Sequence, residues 1–402
     1  MDQNLERFLR YVKIDTQSNG ESDSIPSDPK ELNLSRLLQQ ELKEMGIDSE
    51  IDEYGILYGK LEGEKGLDPI GLNSHVDTAE ELTGANVNPR IIKNYDGGVI
   101  QLNEQYSMSG EEFPTLKAHK GDDLVVTDGN TLLGADDKAG IAIIMAVLSH
   151  YVNHPEEKHH TICFAFTPDE EIGRGPKYFD VKKFGAEYAY TVDGGIYTEV
   201  AYENFNAAHA AIQIKGKEIH PGEAKGQMIN AGSLAALFDT YLPEKARPQY
   251  TEGREGFVHL ISLSGDCGNA KLYYIIREHD PKKLEELKAS FQVAKDKILA
   301  LEPRAKIDIE IKDDYRNMKE VIDKDPRALL RARKAFETLG YPLEENPIRG
   351  GTDGAGFSFK GCPTPNLGTG SYNHHGRYEY LSIGEFNKMI ELVKLIVSAK
   401  LK

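Results

Sequence analysis

Along residues 31–45, Leu34, Leu37, Leu38, Leu42 and Met45 recur at helical spacing, and Gly46 follows the last of them. That spacing predicts an amphipathic helix with a glycine stop. Strand-like runs follow at 49–62 and 69–75. The segment after Gly140, IAIIMAVLSHYV, predicts an apolar helix. TICFAFT at 161–167 and YAYTVD at 188–193 read as short strands with no polar face. Alternating strands and helices predict an α/β sheet core.

The pattern changes near residue 206. AAHAAIQIKG reads as a strand and NAGSLAALFDTYL as a helix. FVHLISLSG and NAKLYYIIREHD read as adjacent strands joined by a tight turn, PKKLEELKASFQVAKDKILAL as a helix, and AKIDIEIKD as a last strand. The order β-α-β-β-α-β is that of a ferredoxin-like α+β unit. Beyond about residue 320, PRALLRARKAFETLG and IGEFNKMIELVKLIVSAK read as covering helices of the larger domain. The expected architecture is a discontinuous α/β sheet domain, residues 1–206 and 319–402, with a lid domain inserted at 207–318.

Composition narrows the function classes. A net charge of −17, from 48 basic and 65 acidic side chains, argues against nucleic acid or an anionic membrane as partner. Cys163, Cys267 and Cys362 form no CxxC pair, which argues against a thiolate zinc site or a disulfide framework. MDQNLERFLRYVKID is charged and lacks the apolar core of a signal peptide. No stretch reaches the run of about 18 apolar residues that a membrane span needs. A cytoplasmic globular protein is expected.

Five short segments concentrate acids and histidines. Asn73-Ser74-His75-Val76-Asp77 ends a predicted strand, where a His and an Asp two apart share one side of an extended chain. That suits a metal-ligating imidazole gripped by a carboxylate, although HxD alone is a weak signal. Gly134-Ala135-Asp136-Asp137-Lys138-Ala139-Gly140 precedes a helix, and its acids would equally cap that helix. Thr167-Pro168-Asp169-Glu170-Glu171-Ile172-Gly173 crowds three acids after a strand. They suit a solvated loop, or a cation pair with one acid as ligand and its neighbour as base. Asp193 follows a strand beside Gly194 and Gly195, and Asn373-His374-His375-Gly376-Arg377 lies in a Gly- and Tyr-rich loop. Each segment is ambiguous by itself. Most fall at strand C-termini, where open α/β sheets place their ligands.

HVDT at 75–78, GADDKAG at 134–140, TPDEEIG at 167–173, TVDGG at 191–195 and HHG at 374–376 together resemble the M20 metallopeptidases. NVNPRIIKNYDGG at 86–98, TDGNTLLGADDKAG at 127–140, HPGEAKGQMINA at 220–231, TEGREGF at 251–257 and PIRGGTDGAGFSF at 347–359 resemble the tripeptide-aminopeptidase branch of that family. The resemblance implies two zinc ions, with cobalt or manganese as substitutes. His75, Asp136 and Asp193 would hold one. Asp136, Glu171 and His375 would hold the other, with Asp136 bridging. Asp77 would orient His75, Glu170 would be the general base, and the peptide bond after Asp136 would be cis. The family usually has an aromatic residue where His374 stands. His375 keeps the ligand assignment because the following glycine and Glu379 preserve the motif's spacing.

The expected reaction is hydrolysis of the first peptide bond of a tripeptide. His220, in the HPG segment, is the candidate donor to the developing oxyanion, and an ordinary turn histidine is its bland alternative. Arg277 and Arg349 are candidates for gripping the peptide carboxylate, against a surface ion pair as the alternative. Asn230 is a further substrate candidate. Rival readings are an M20-type amidohydrolase or carboxypeptidase acting on N-acyl amino acids or dipeptides, and a non-catalytic metal- or peptide-binding protein. Short peptides are the expected partners, with homodimerisation through the lid domain as an option.

Overall fold

The computed structural model describes residues 2–401. The chain divides into two compact units. The first runs through Tyr202 and takes in Met318–Asn346 and Thr352 onward. The second is Glu203–Asn317 with Pro347–Gly351.

The first unit is built on a seven-stranded sheet. Its centre is parallel: Ile162–Thr167 pairs with Ile70–His75, which pairs with Tyr188–Val192, which pairs with Asn366–Leu367. Antiparallel strands Leu57–Leu61, Ser49–Ile51 and Val200–Ala201 complete the edges. The three longest central strands are buried at every residue. Ile162–Thr167 and Tyr188–Val192 read as near-continuous apolar runs because both faces of a parallel sheet are covered. One face carries Cys163, Ala165 and Ala189 against Phe179, Phe184 and Phe357. The other meets the helix Ala135–Asn153, which is apolar nearly all round and correspondingly buried.

That helix starts earlier than its apolar run suggests. Asp136 and Asp137 lie inside its nominal span with non-helical dihedrals, and the Asp136–Asp137 peptide is cis, as the resemblance implies. Regular helix therefore begins around Lys138. Gly140 lets it settle on the sheet: a Cβ there would lie 1.8 Å from the Val192 carbonyl oxygen. The amphipathic helix at 31–45 is observed as Glu31–Glu44, with Gly46 at φ 76°. The covering helices are Arg327–Leu339 and Ile383–Val397.

A second, four-stranded sheet in this unit carries no sequence forecast. It orders Ser371–Tyr372, Tyr380–Ser382, Leu124–Val126 and Arg90–Ile92. Strands of two or three residues are too short for a period to show. A cluster including Tyr95, Leu116, Val126, Tyr372 and Tyr380 holds the region together.

The second unit is an antiparallel sheet ordered Phe257–Gly265, Asn269–Glu278, Asn206–Lys215, Lys306–Tyr315. The helices Ala231–Thr240 and Pro281–Leu301 cover one face. Chain order and sheet order together are those of a ferredoxin-like βαββαβ unit. Its core includes Ile212, Phe238, Tyr274 and Phe291.

Candidate metal centre

The parallel strands deliver their C-terminal ends to one place. His75 is the last residue of its strand, the Asp169–Glu171 loop follows Thr167, and Asp193 follows Val192. The His75 ring is 2% exposed. Its Nδ1 lies 3.1 Å from the carbonyl oxygen of Asp77 and 3.3 Å from Asp77 Oδ1. A carbonyl only accepts, so the ring proton sits on Nδ1 and leaves the Nε2 lone pair free in the neutral ring. Nε2 is 3.0 Å from Asp136 Oδ1 and 3.8 Å from Asp193 Oδ1.

The other oxygen of Asp136 faces a different histidine. Oδ2 lies 3.4 Å from His375 Nε2, which is itself 3.0 Å from Glu171 Oε2. His375 Nδ1 lies 3.4 Å from Glu81 Oε1. His374 Nδ1 is 3.5 Å from Asp136 Oδ2, and its Nε2 is bound to Ser371 Oγ at 2.8 Å. Of the two neighbouring histidines, His375 is the one whose ring nitrogen contacts both Asp136 and Glu171.

Hydrogen bonds from distant segments fix these loops. Glu379 Oε2 accepts the N–H groups of Leu133 and Gly134 at 2.7 Å each, and Oε1 accepts that of Asp136 at 2.9 Å. Asp77 Oδ1 and Oδ2 accept the N–H groups of Glu170 and Glu171, both at 3.1 Å. Asp137 Oδ2 accepts from the His75 amide at 3.3 Å, and Oδ1 from the Gly140 amide at 3.2 Å. Asp169 and His375 hold positive φ angles of 62° and 63°, a backbone state that clusters at functional sites.

The electrostatics are those of acids crowded out of water. Burial, reinforced by Asp193, Asp353 and Glu171, holds Glu170 well above the usual carboxylate range. Burial and Asp136 raise Glu171 to about 7. Burial raises Asp193 to about 6 and Asp353 to about 7. Burial also opposes the charged forms of His75 and Asp136. Here it is outweighed: carboxylates raise His75 well above its ordinary value, and histidines pull Asp136 well below its own. Hydrogen bonds to Asp136 and Glu171 raise His375 to about 11. A site that must hold so many protons to limit its negative charge suits cations.

The residues pass a direct test of fit to a metal ion. His75, Asp136 and Glu171 present ligand atoms within 4.8 Å of one another, as do His75, Asp137 and Asp193. Glu171 Oε1 is buried without a hydrogen-bond partner. The donors are imidazole and carboxylate, the set zinc uses when thiolates are absent.

Asp353 belongs to the same neighbourhood, 2% exposed, with its Oδ2 accepting from the Thr167 hydroxyl at 2.6 Å. Sequence reading assigns no role to it, because an Asp at the start of the short, Gly-rich helix Asp353–Phe359 looks like an ordinary helix-start acid.

The remaining expected residues lie in the second unit. His220 is exposed, and its Nδ1 accepts the Gly222 amide at 3.2 Å, which leaves the ring proton on Nε2. Asn230 caps the helix Ala231–Thr240 through Oδ1, 3.0 Å from the Ser233 amide. Arg277 donates to the carbonyls of Ala208 and Ile276 and stacks on Tyr315. Arg349 donates to the carbonyls of Gly253, Glu255 and Thr251 and lies over Phe205 and Phe257. Within this unit both arginines brace backbone.

Comparison with known proteins agrees with this geometry. Residues 124–399 match the family described as peptidase family M20/M25/M40. Peptidase T of Clostridium acetobutylicum is 48% identical over 402 residues, covering 99% of this chain and 98% of that one. Peptidase T of Bacillus subtilis is 48% identical, covering 98% of this chain and 96% of that one. Among solved structures, the aminopeptidase PepT of Bacillus cereus superposes with a TM-score of 0.78 at 23% identity, covering 98% of this chain and 97% of that one. A dinuclear metal-binding M20 peptidase of Bacillus subtilis reaches 0.65 at 14%, covering 99% and 98%. With its strand-end histidines and acids in the order and spacing described, the chain belongs to the M20/M25/M40 peptidase family.

Proposed function

We propose that this chain is an aminopeptidase that removes the N-terminal residue of tripeptides at a centre of two zinc ions. The observation that carries the reading is the position of Asp136, one oxygen facing His75 and the other facing His375, whose same ring nitrogen contacts Glu171. A carboxylate between two such donor groups suits a bridging ligand. His75, Asp136 and Asp193 would hold one ion, and Asp136, Glu171 and His375 the other. We favour Asp136 over Asp137 as ligand, because Asp137 already accepts the amides of His75 and Gly140. The substrate class is taken from the relatives' names and near-full-length identity.

Bound divalent ions supply Lewis acidity, which polarises a scissile carbonyl and eases proton loss from a water. Glu170, next in the chain to the proposed ligand Glu171, would take a proton from that water and pass it to the leaving amine nitrogen. Asp77 serves twice in this reading. Its carbonyl and Oδ1 flank His75 Nδ1, and its carboxylate pins the amides of Glu170 and Glu171. His220 is proposed as an Nε2–H donor to the oxyanion, with Asn230, Arg277 and Arg349 as further substrate residues. Cobalt or manganese would substitute for zinc. We place the protein in the cytoplasm; no helix among the described residues is long and apolar enough to cross a membrane.

The test compares free-amine tripeptides with N-acylated amino acids on metal-loaded protein. Release of the N-terminal residue from the tripeptides is expected. Preference for the N-acylated compounds would transfer the assignment to an amidohydrolase, and metal uptake without hydrolysis of any short peptide would favour a binding protein.

A further inference from the structure

The helix Glu31–Glu44 begins with a glutamate, an ordinary place for an acid beside a helix N-terminus. Glu31 goes further than that role requires. It has no exposed surface. Oε1 accepts the Ser27 hydroxyl at 3.0 Å and the Asp28 amide at 3.1 Å, within its own turn. Oε2 leaves the turn and accepts the amide of Asp169 at 3.1 Å, from a residue 138 positions away. Asp169 returns the contact, with both carboxylate oxygens 3.0 Å from the Ser27 amide.

The consecutive amides of Asp169, Glu170 and Glu171 are therefore all held by carboxyl groups, the first by Glu31 and the next two by Asp77. Asp169 sits in the left-handed region, at φ 62°. That state is uncommon for a residue with a Cβ, although Asp tolerates it better than most, and here the paired contacts with Ser27 and Glu31 hold it. A chain that relaxes to negative φ at Asp169 rotates the peptide leading into Glu170 and turns its carboxylate and that of Glu171 off their bearings.

We propose that Glu31 is a positioning residue for the reaction: with Ser27 and Asp169 it locks the backbone that aims Glu170 and Glu171. The inference rests on the roles given above to those two glutamates. It assigns part of the catalytic apparatus to the N-terminal segment around residues 27–31, which contributes none of the proposed ligands.

The test uses the full-length chain carrying Glu31→Gln. Glutamine has one acceptor oxygen where glutamate uses two, so one side of the lock meets an NH2 group instead. Expected results are a fall in kcat of about 10-fold or more with KM within about 3-fold, and a loss of about 10-fold or more in affinity for one of two ions, titrated on metal-stripped protein. Hydrogen exchange should speed up at Asp169–Glu171. Leu38→Ala, in the buried face of the same helix, is the stability control. It should lower Tm and leave kcat and ion affinity unchanged below the transition. Unchanged kcat and ion affinity in Glu31→Gln, or equal losses in Leu38→Ala, would overturn the proposal. If Glu31→Gln does not fold, Asp169→Asn carries the test, because asparagine tolerates the left-handed region and weakens the same lock. Glu171→Gln separates the two levels. If it leaves ion uptake intact, the metal reading itself falls and this inference falls with it. If it lowers uptake while Glu31→Gln does not, only this inference fails.

Discussion

The seven-stranded sheet and the sheet of the second unit treat their side chains differently. Ile70–His75 is buried at every position, and so is Ile162–Thr167. Asn206–Lys215 alternates buried and half-buried positions along most of its length, and Lys306–Tyr315 is mostly exposed or half-exposed. A parallel strand covered on both faces has no side chains left for solvent along its length, so its chemistry collects where it ends. An antiparallel sheet with helices on one face keeps a solvent side, and its stability rests on a single apolar layer. The first sheet supplies the ends of a site. The second supplies a self-contained frame on which His220, Asn230, Arg277 and Arg349 are mounted.

That contrast can be broken at either end. The largest effect is expected at the strand ends. Glu170→Gln should lower kcat by about 10²- to 10⁴-fold with little change in Tm, measured by steady-state kinetics and thermal unfolding. In the second unit the sensitive point is the core. Phe291 has no exposed surface and packs edge-on to Tyr274 with ring centroids 5.2 Å apart. Phe291→Ala should cost about 3–5 kcal/mol in denaturant unfolding and leave ion uptake unchanged.

Gly140→Ala joins the two kinds of effect. Its methyl would strike the Val192 carbonyl, Asp137 Oδ1 and Ser74 Oγ. A loss of about 3 kcal/mol is expected, together with weaker ion binding because Asp193 follows Val192.

A pH test sharpens the comparison further. Burial, with Glu344 nearby, raises Glu199 from 4.5 to about 7. Its native pKa exceeds its unfolded value, so the folded state holds the extra proton between them. The favourable contribution is fully present below about pH 4.5 and is lost as pH rises through about 7. Glu199→Gln should therefore gain about 1–3 kcal/mol relative to the parent at pH 8 and nothing at pH 4, by denaturation at both pH values. The smallest effect concerns Arg349. Arg349→Ala should cost about 1–2 kcal/mol through its lost contacts with the 251–255 turn. If it also grips a peptide carboxylate, KM for tripeptides should rise while that for their C-terminal amides stays level.

Much of the fold was legible because its elements are long enough for a period to register. The helix Glu31–Glu44, the central strands and the βαββαβ unit are cases. The four-stranded sheet of Arg90–Ile92, Leu124–Val126, Ser371–Tyr372 and Tyr380–Ser382 was not, since each strand is two or three residues long and the sheet joins the 90–126 region to the distant 371–382 region. In the candidate site, His75, Asp136, Glu170, Glu171, Asp193 and His375 stood out because each adjoins a strand end or a loop of recognisable motif. Glu31 and Asp353 did not, because an acid at a helix start has a sufficient local explanation.

The sequence by itself marked candidate cation ligands, since acid and histidine content at strand ends is a local property. Only the tertiary structure decided how they are aimed. It gave Asp136 two separate faces, gave His75 Nδ1 the Asp77 carbonyl as partner, and set Glu379 and Glu31 on amides 246 and 138 positions away. A hydrogen bond between such distant segments leaves no periodic trace in the chain, because its geometry exists only once the sheet has brought the strand ends together.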